Sequence, residues 1–146
     1  MTVRSTIAAF LMMLAPVWAV AQTATPVAQA FEHYEAIRVV LAGDGMETVS
    51  THAKALVPFA GQIAGTAAQA AAERVAAAKA IDRAREEFAA LSAALVPKFL
   101  DARLPGVHAF LCPMKKASWA QRTDTMANPY YGKAMLACGS EIKGTR

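Results

Sequence analysis

The run Ala67-Ala68-Gln69-Ala70-Ala71-Ala72-Glu73-Arg74-Val75-Ala76-Ala77-Ala78 constrains this chain most, because it is strongly helix-favouring, with Val75 its one strand-preferring residue. Alanine loses no side-chain rotamer freedom in a helix, and Gln, Glu and Arg lose little. The run predicts a helix that continues to Leu95, with Ile81, Arg85 (by its stem), Phe88, Leu91 and Leu95 on the inward side. It either stops near Val96-Pro97 or continues, kinked, through Phe99 and Leu100. Asp82 with Arg85 and Arg83 with Glu87 read as surface pairs, each worth a few tenths of a kcal/mol.

Two helices are predicted before it. Thr25-Pro26 pairs an N-cap with a proline at the first helical position, where its fixed φ and missing N–H cost nothing. Val27, Phe31, Tyr34, Ile37 or Arg38, and Leu41 then recur at helical spacing, and Gly43 ends the segment. Asp44 with Glu47 three residues on predicts a capping box for a second helix. Its stripe is Met46, Val49, Ala53, Leu56 and Ala60, with Pro58 expected to kink it or end it early. The short connections at Gly43-Asp44 and Gly65-Thr66 place neighbouring helices in opposite directions. The fold class expected is therefore mainly α, an antiparallel bundle of three to four helices.

Beyond Leu104-Pro105-Gly106 the composition changes. Residues Val107 to Cys112 and Lys133 to Ile142 read as two short segments, of a kind that pair as a small β-hairpin, lying on the helices. Asn128-Pro129-Tyr130-Tyr131-Gly132 reads as a fixed turn, because Pro129 drives Asn128 out of the helical region and Gly132 accepts a positive φ. Tyr130 and Tyr131 are expected to pack with Trp119 over the cysteines.

At the other end, Arg4, the apolar stretch Ile7 to Val20 and the motif Ala19-Val20-Ala21 follow the order of a secretory leader, with cleavage expected after Ala21. The apolar stretch is too short for a membrane span and no basic stop-transfer cluster follows it. A single domain over 22–146 remains, of roughly 125 residues, enough to bury a core. Residues 105–146 form its C-terminal module of cysteine, methionine and aromatic residues. The expected location is the periplasm. Loss of Arg4 leaves a mild positive charge, one unit below the +4 of the whole chain. No basic run exceeds Lys115-Lys116, and bases do not alternate with aromatics, which argues against nucleic-acid binding.

The chemistry-bearing residues gather in the last third. Cys112-Pro113-Met114 and Met135-Leu136-Ala137-Cys138 put soft sulfur donors at both ends of one segment. Polarisable donors match Cu(I) or Ag(I), so Cys112, Met114, Met135 and Cys138 are the candidate metal ligands, with His108 and Met126 as weaker ones. His108 is disfavoured because four residues of extended chain put it about 13 Å from Cys112. The competing reading is a disulfide between Cys112 and Cys138. It would close a loop of about 26 residues and contribute roughly 3 kcal/mol in the chain-entropy model. His33 and His52 fall on separate helices and can face one another, each otherwise an ordinary surface or half-buried histidine. No nucleophile elbow, Gly-rich phosphate loop, His-Glu-x-x-His or Cys-x-x-Cys occurs, and no catalytic residue is assigned.

The string Val107-His108-Ala109-Phe110-Leu111-Cys112-Pro113-Met114, Trp119, and Asn128-Pro129-Tyr130-Tyr131-Gly132-Lys133-Ala134-Met135-Leu136-Ala137-Cys138-Gly139 resembles the C-terminal signature of a bacterial periplasmic domain family of unknown function. Members of that family occur alone or fused to periplasmic adaptor subunits of copper/silver-type efflux pumps. The resemblance implies a role in soft-metal handling and an efflux adaptor as partner. The linker Lys115-Lys116-Ala117-Ser118 departs from it by being more basic. Two functions are therefore expected as alternatives: a soft-metal binding or efflux-accessory protein, and a disulfide-stapled helical interaction module of the envelope that binds no metal.

Overall fold

The computed structural model describes residues 24–143, so the leader expected at residues 1–21 lies outside the described residues. Four helices come first: α1 (Pro26–Ala42), α2 (Val49–Ala64), α3 (Thr66–Ala77) and α4 (Ile81–Asp101). They are followed by strands β1 (His108–Cys112) and β2 (Ala117–Gln121), a 3₁₀ turn at Gly132–Met135, and the two-residue strand β3 (Ser140–Glu141). Consecutive helices pack as neighbours, α4 also meets α1 and α2, and the sheet lies against α4 through β2. The protein is mainly helical with a small antiparallel sheet, in agreement with the expected class.

Helix α1 starts as its sequence predicts. Thr25 accepts a hydrogen bond from the Ala28 N–H through Oγ1, and Pro26 opens the helix. Its end corrects the expectation for Asp44, which does not open a capping box. Asp44 adopts φ 64° and closes α1: its N–H donates to Leu41 O, and the Gly45 N–H donates to Val40 O. That pair of bonds is the Schellman arrangement, and aspartate is among the few non-glycine residues that tolerate the left-handed region. Glu47 accepts instead from the adjacent Met46 N–H, and α2 begins at Val49 with no side-chain cap.

Both prolines lie inside helices. Pro58 does not end α2 early, and of the two courses expected at Pro97, α4 takes the one that continues through Phe99 and Leu100, to Asp101. Both prolines, and the residues Lys54 and Ala93 whose carbonyls lose a partner, are exposed, so water can satisfy the orphaned groups. The alanine-rich helix breaks at Ala78, which is extended at ψ 133°, and α4 starts afresh at Ile81. One straight helix from Ala67 to Leu95 would be about 43 Å long, more than the core could cover. The break brings Ala68, Ala72 and Val75 of α3 and Phe88, Leu91 and Leu95 of α4 into one core. Buried Glu87 joins the two helices by pairing with Arg74 of α3 at 2.6 Å and with Arg83 of α4.

The strand pairing is also corrected. β1 pairs along its whole length with Ala117–Gln121, with Phe110 opposite Trp119; of the expected Lys133 to Ile142 segment, Ser140–Glu141 joins it on the other side, and the Ile142 N–H donates to Ala109 O at 2.7 Å. The sheet order is β2-β1-β3. Its inner face meets the helices through an aromatic chain. Tyr34 stacks on Phe88 at 4.8 Å, Phe99 meets Tyr34 edge-on at 5.1 Å, Phe110 stacks on Trp119 at 5.3 Å, and Tyr130 stands perpendicular to Trp119 at 6.1 Å.

Inside this core, the Tyr34 hydroxyl shares a 2.7 Å hydrogen bond with Ser92 Oγ of α4 and accepts from the Ala120 N–H of β2 at 3.3 Å. Burial holds its phenol well above the ordinary value, so it stays neutral. Replacing Tyr34 by Phe removes the partner of a buried hydroxyl and of a buried N–H together. We expect Tyr34→Phe to lower stability by about 1–3 kcal/mol in urea unfolding, with little change in helical circular dichroism.

Candidate functional site

The tail after β2 is laid down by two buried amides. Gln121 has no apolar character, yet it is fully buried, with every polar atom used. Its Oε1 accepts from the Trp119 Nε1–H at 2.8 Å and from the Ala127 N–H at 3.1 Å, while Nε2 donates to Thr123 O and Thr125 O at 2.7 Å each. Asn128 accepts from the Tyr130 N–H at 2.8 Å, donates its Nδ2–H to Cys138 O at 2.7 Å, and donates its backbone N–H to Leu136 O at 2.8 Å. The fixed turn expected at Asn128-Pro129 is thus an Asx turn, which also holds the cysteine-bearing return of the chain. Tyr130 packs with Trp119 as expected, whereas Tyr131 is only half-buried.

Two arginines fasten this tail to the helices. Arg38 of α1, paired with Glu35 at 2.7 Å, donates Nη1–H to Ala127 O at 3.3 Å. Arg85 of α4 donates Nε–H to Pro129 O at 2.9 Å, and Nη2–H to Leu41 O at 2.8 Å and to Asp44 Oδ1 at 2.6 Å. Arg85 therefore contributes its guanidinium and not only its stem, and its partner is Asp44 rather than Asp82. The Lys133 N–H completes the junction on Asp44 Oδ2 at 3.3 Å. Arg85 above all, with the Lys133 N–H, holds the Asp44 carboxyl below its ordinary value. Gly132 crosses this junction at φ 56°, where a Cβ would collide with Asp44 Oδ1 and Arg85 Nη2. An open cavity of about 310 Å³ beside it is lined by Asp82, Arg85, Lys115, Tyr130 and Tyr131.

The candidate sulfurs hang on this frame. Pairing of Leu111 with Ser140 brings the two cysteine-bearing ends to the same end of the sheet. Both cysteines are free, so the structure carries no Cys112 to Cys138 disulfide. Cys112 is fully buried, and its Sγ accepts from the Lys115 N–H at 3.5 Å. Cys138 is half-buried at the end of a turn closed by its own N–H donating to Met135 O at 3.0 Å. That closure places the half-buried Met135 and Cys138 at the two ends of one tight turn. A Cβ on the adjacent Gly139 would lie 2.7 Å from the Trp119 ring and 2.9 Å from Met126 Sδ. Position 139 thus faces inward, and the Met126 thioether sits beside this same turn.

Met114 stands apart at the β1–β2 turn, 59% exposed. His108 lies at the opposite end of the unbent β1 from Cys112, with Nδ1 at 3.0 Å from Glu141 Oε1. Among the described residues, no three His, Cys, Asp or Glu converge as a metal site. His33 and His52 do meet, with Nδ1 atoms 3.3 Å apart. The sequence signals that were missed are Gln121 and the arginine contacts, because a polar residue in a short strand and a carbonyl acceptor leave no periodic trace.

No protein-family model matches the chain, and neither does any curated protein or solved structure. No helix among the described residues is long and apolar enough to cross a membrane.

Two outcomes follow from this geometry. Ellman's reagent should modify one thiol, Cys138, rapidly in the native protein and the second only after denaturation. Asn128→Ala, which frees Cys138 O and the Tyr130 N–H, should speed the first reaction in a Cys112→Ser background. Separately, burial and then the nearby His52 lower the His33 pKa below its ordinary 6.5. The native state then binds fewer protons than the unfolded chain as pH falls below about 6.5, so it loses stability on acidification. The urea midpoint should therefore drop further between pH 7.5 and 5.5 in the native sequence than in His33→Gln.

Proposed function

We propose that this chain is a periplasmic binding protein or efflux accessory for soft monovalent ions, Cu(I) or Ag(I), held by the sulfurs of its C-terminal module. The observation that carries the reading is the closed Met135 to Cys138 turn: a free, half-buried thiol and a half-buried thioether at the ends of one turn, with the Met126 thioether beside it. Thiolate and thioether sulfur suit a polarisable d¹⁰ cation. The Cys138 thiol would give up its proton on binding. Cys138, Met135 and Met126 are then the first ligands. Met114, exposed at the β1–β2 turn, is a donor for entry, and the fully buried Cys112 joins only if β1 opens.

A periplasmic metal-efflux adaptor is the partner proposed, on the strength of the family resemblance. Exposed Leu111, Met114 and Leu136, all in the C-terminal module, support a docking role. The same three side chains favour the second reading, an envelope interaction module that binds no metal.

An anaerobic Cu(I) titration of the reduced protein against a competing chelator separates the two. We expect one ion per chain with sub-micromolar affinity, weakened at least about tenfold by Cys138→Ser and less by Cys112→Ser. A folded, reduced protein that leaves Cu(I) with the chelator overturns the metal reading.

A further inference from the structure

The residues of α1 and α2 contain no sulfur, yet they bring two other donors together. His33 of α1 and His52 of α2 face each other with Nδ1 to Nδ1 at 3.3 Å, ring centroids 5.6 Å apart and planes inclined at 42°. The ring of Phe59 lies along His33 at 6.1 Å and 23°. Both histidines are half-buried rather than extended into solvent, and each is carried by a helix rather than a loop. This is a preorganised pair.

Its spacing has a chemical meaning. Two nitrogens bound at 2.0–2.1 Å to one tetrahedral ion are about 3.3 Å apart, the separation already present here. The geometry points to a second metal site, in which His33 and His52 chelate a borderline divalent cation such as Zn(II), Ni(II) or Cu(II) through their Nδ1 atoms, with water completing the coordination. Imidazole suits these ions, whereas the sulfurs of the tail suit softer ones.

In the metal-free pair one Nδ1–H donates to the other Nδ1, which already presents a lone pair. The donating ring frees its own lone pair by shifting its proton to Nε2, so two neutral imidazoles bind the ion with no net proton lost. Burial and the facing His52 favour the neutral form of His33 that this requires. Among the described residues no third His, Cys, Asp or Glu joins the pair, so an ion held here keeps open positions for exchange.

Zn(II) and Ni(II) titrations of the Cys112→Ser/Cys138→Ser protein at pH 7.5, followed by calorimetry and by the imidazole resonances, test the site with the thiolates absent. We expect one ion per chain at micromolar affinity and selective perturbation of His33 and His52 resonances. His33→Gln and His52→Gln should each weaken binding at least about tenfold, and His108→Gln should leave it unchanged. Circular dichroism confirms that each variant is folded. Uptake that survives both histidine substitutions, or no uptake by the folded parent, overturns the site. Neither result bears on Cu(I) binding by the tail, which is read in the native cysteine background.

Discussion

The C-terminal module keeps its place because two arginines on different helices take hold of the same three residues of backbone. Arg38 of α1 reaches Ala127 O and Arg85 of α4 reaches Pro129 O, on either side of buried Asn128. Charge-assisted hydrogen bonds to carbonyls are stronger than neutral ones, and both side chains are largely shielded from water. Each guanidinium is also neutralised, by Glu35 and by Asp44 respectively, so neither leaves a buried charge without a partner. The Asn128 side chain then passes the constraint on to Cys138 O.

That chain of contacts divides the two cysteines into different roles. Cys112 lies on the same face of β1 as Phe110 and belongs to the core as a small apolar group. Cys138 belongs to the return segment, held by backbone hydrogen bonds and not by its own side chain, which leaves its sulfur free to react or to bind. The β1–β3 pairing brings the two ends of the tail to the same end of the sheet without joining their sulfurs, and the burial of Cys112 separates the two thiols in accessibility.

The helical part shows how local preference and packing divide the work. Thr25-Pro26 starts α1 by local chemistry alone. The alanine run, which local chemistry would extend to Leu95, breaks at Ala78 because folding back lets α3 and α4 share a core and lets Glu87 meet both Arg74 and Arg83. Asp44 carries a local signal that fits two roles, helix start and helix end. The presence of Arg85 and the Lys133 N–H on its carboxylate accompanies the second.

What the residues determined by themselves were the quantities set by short-range energetics: helix-rich character, the start of α1, a strand over His108–Cys112 within the expected Val107 to Cys112, the positive φ at Gly132, and the gathering of sulfur donors in the last third. These depend on periodicity, caps and backbone sterics within a few residues. Only the tertiary structure decided that Ala117–Gln121 pairs with β1, that Gln121 and Asn128 are buried, that Arg85 binds through its guanidinium, and that His33 meets His52. Each of these joins groups distant in sequence or buries a polar residue at the cost of finding it partners. Such partners are supplied by packing, and no spacing along the chain announces them.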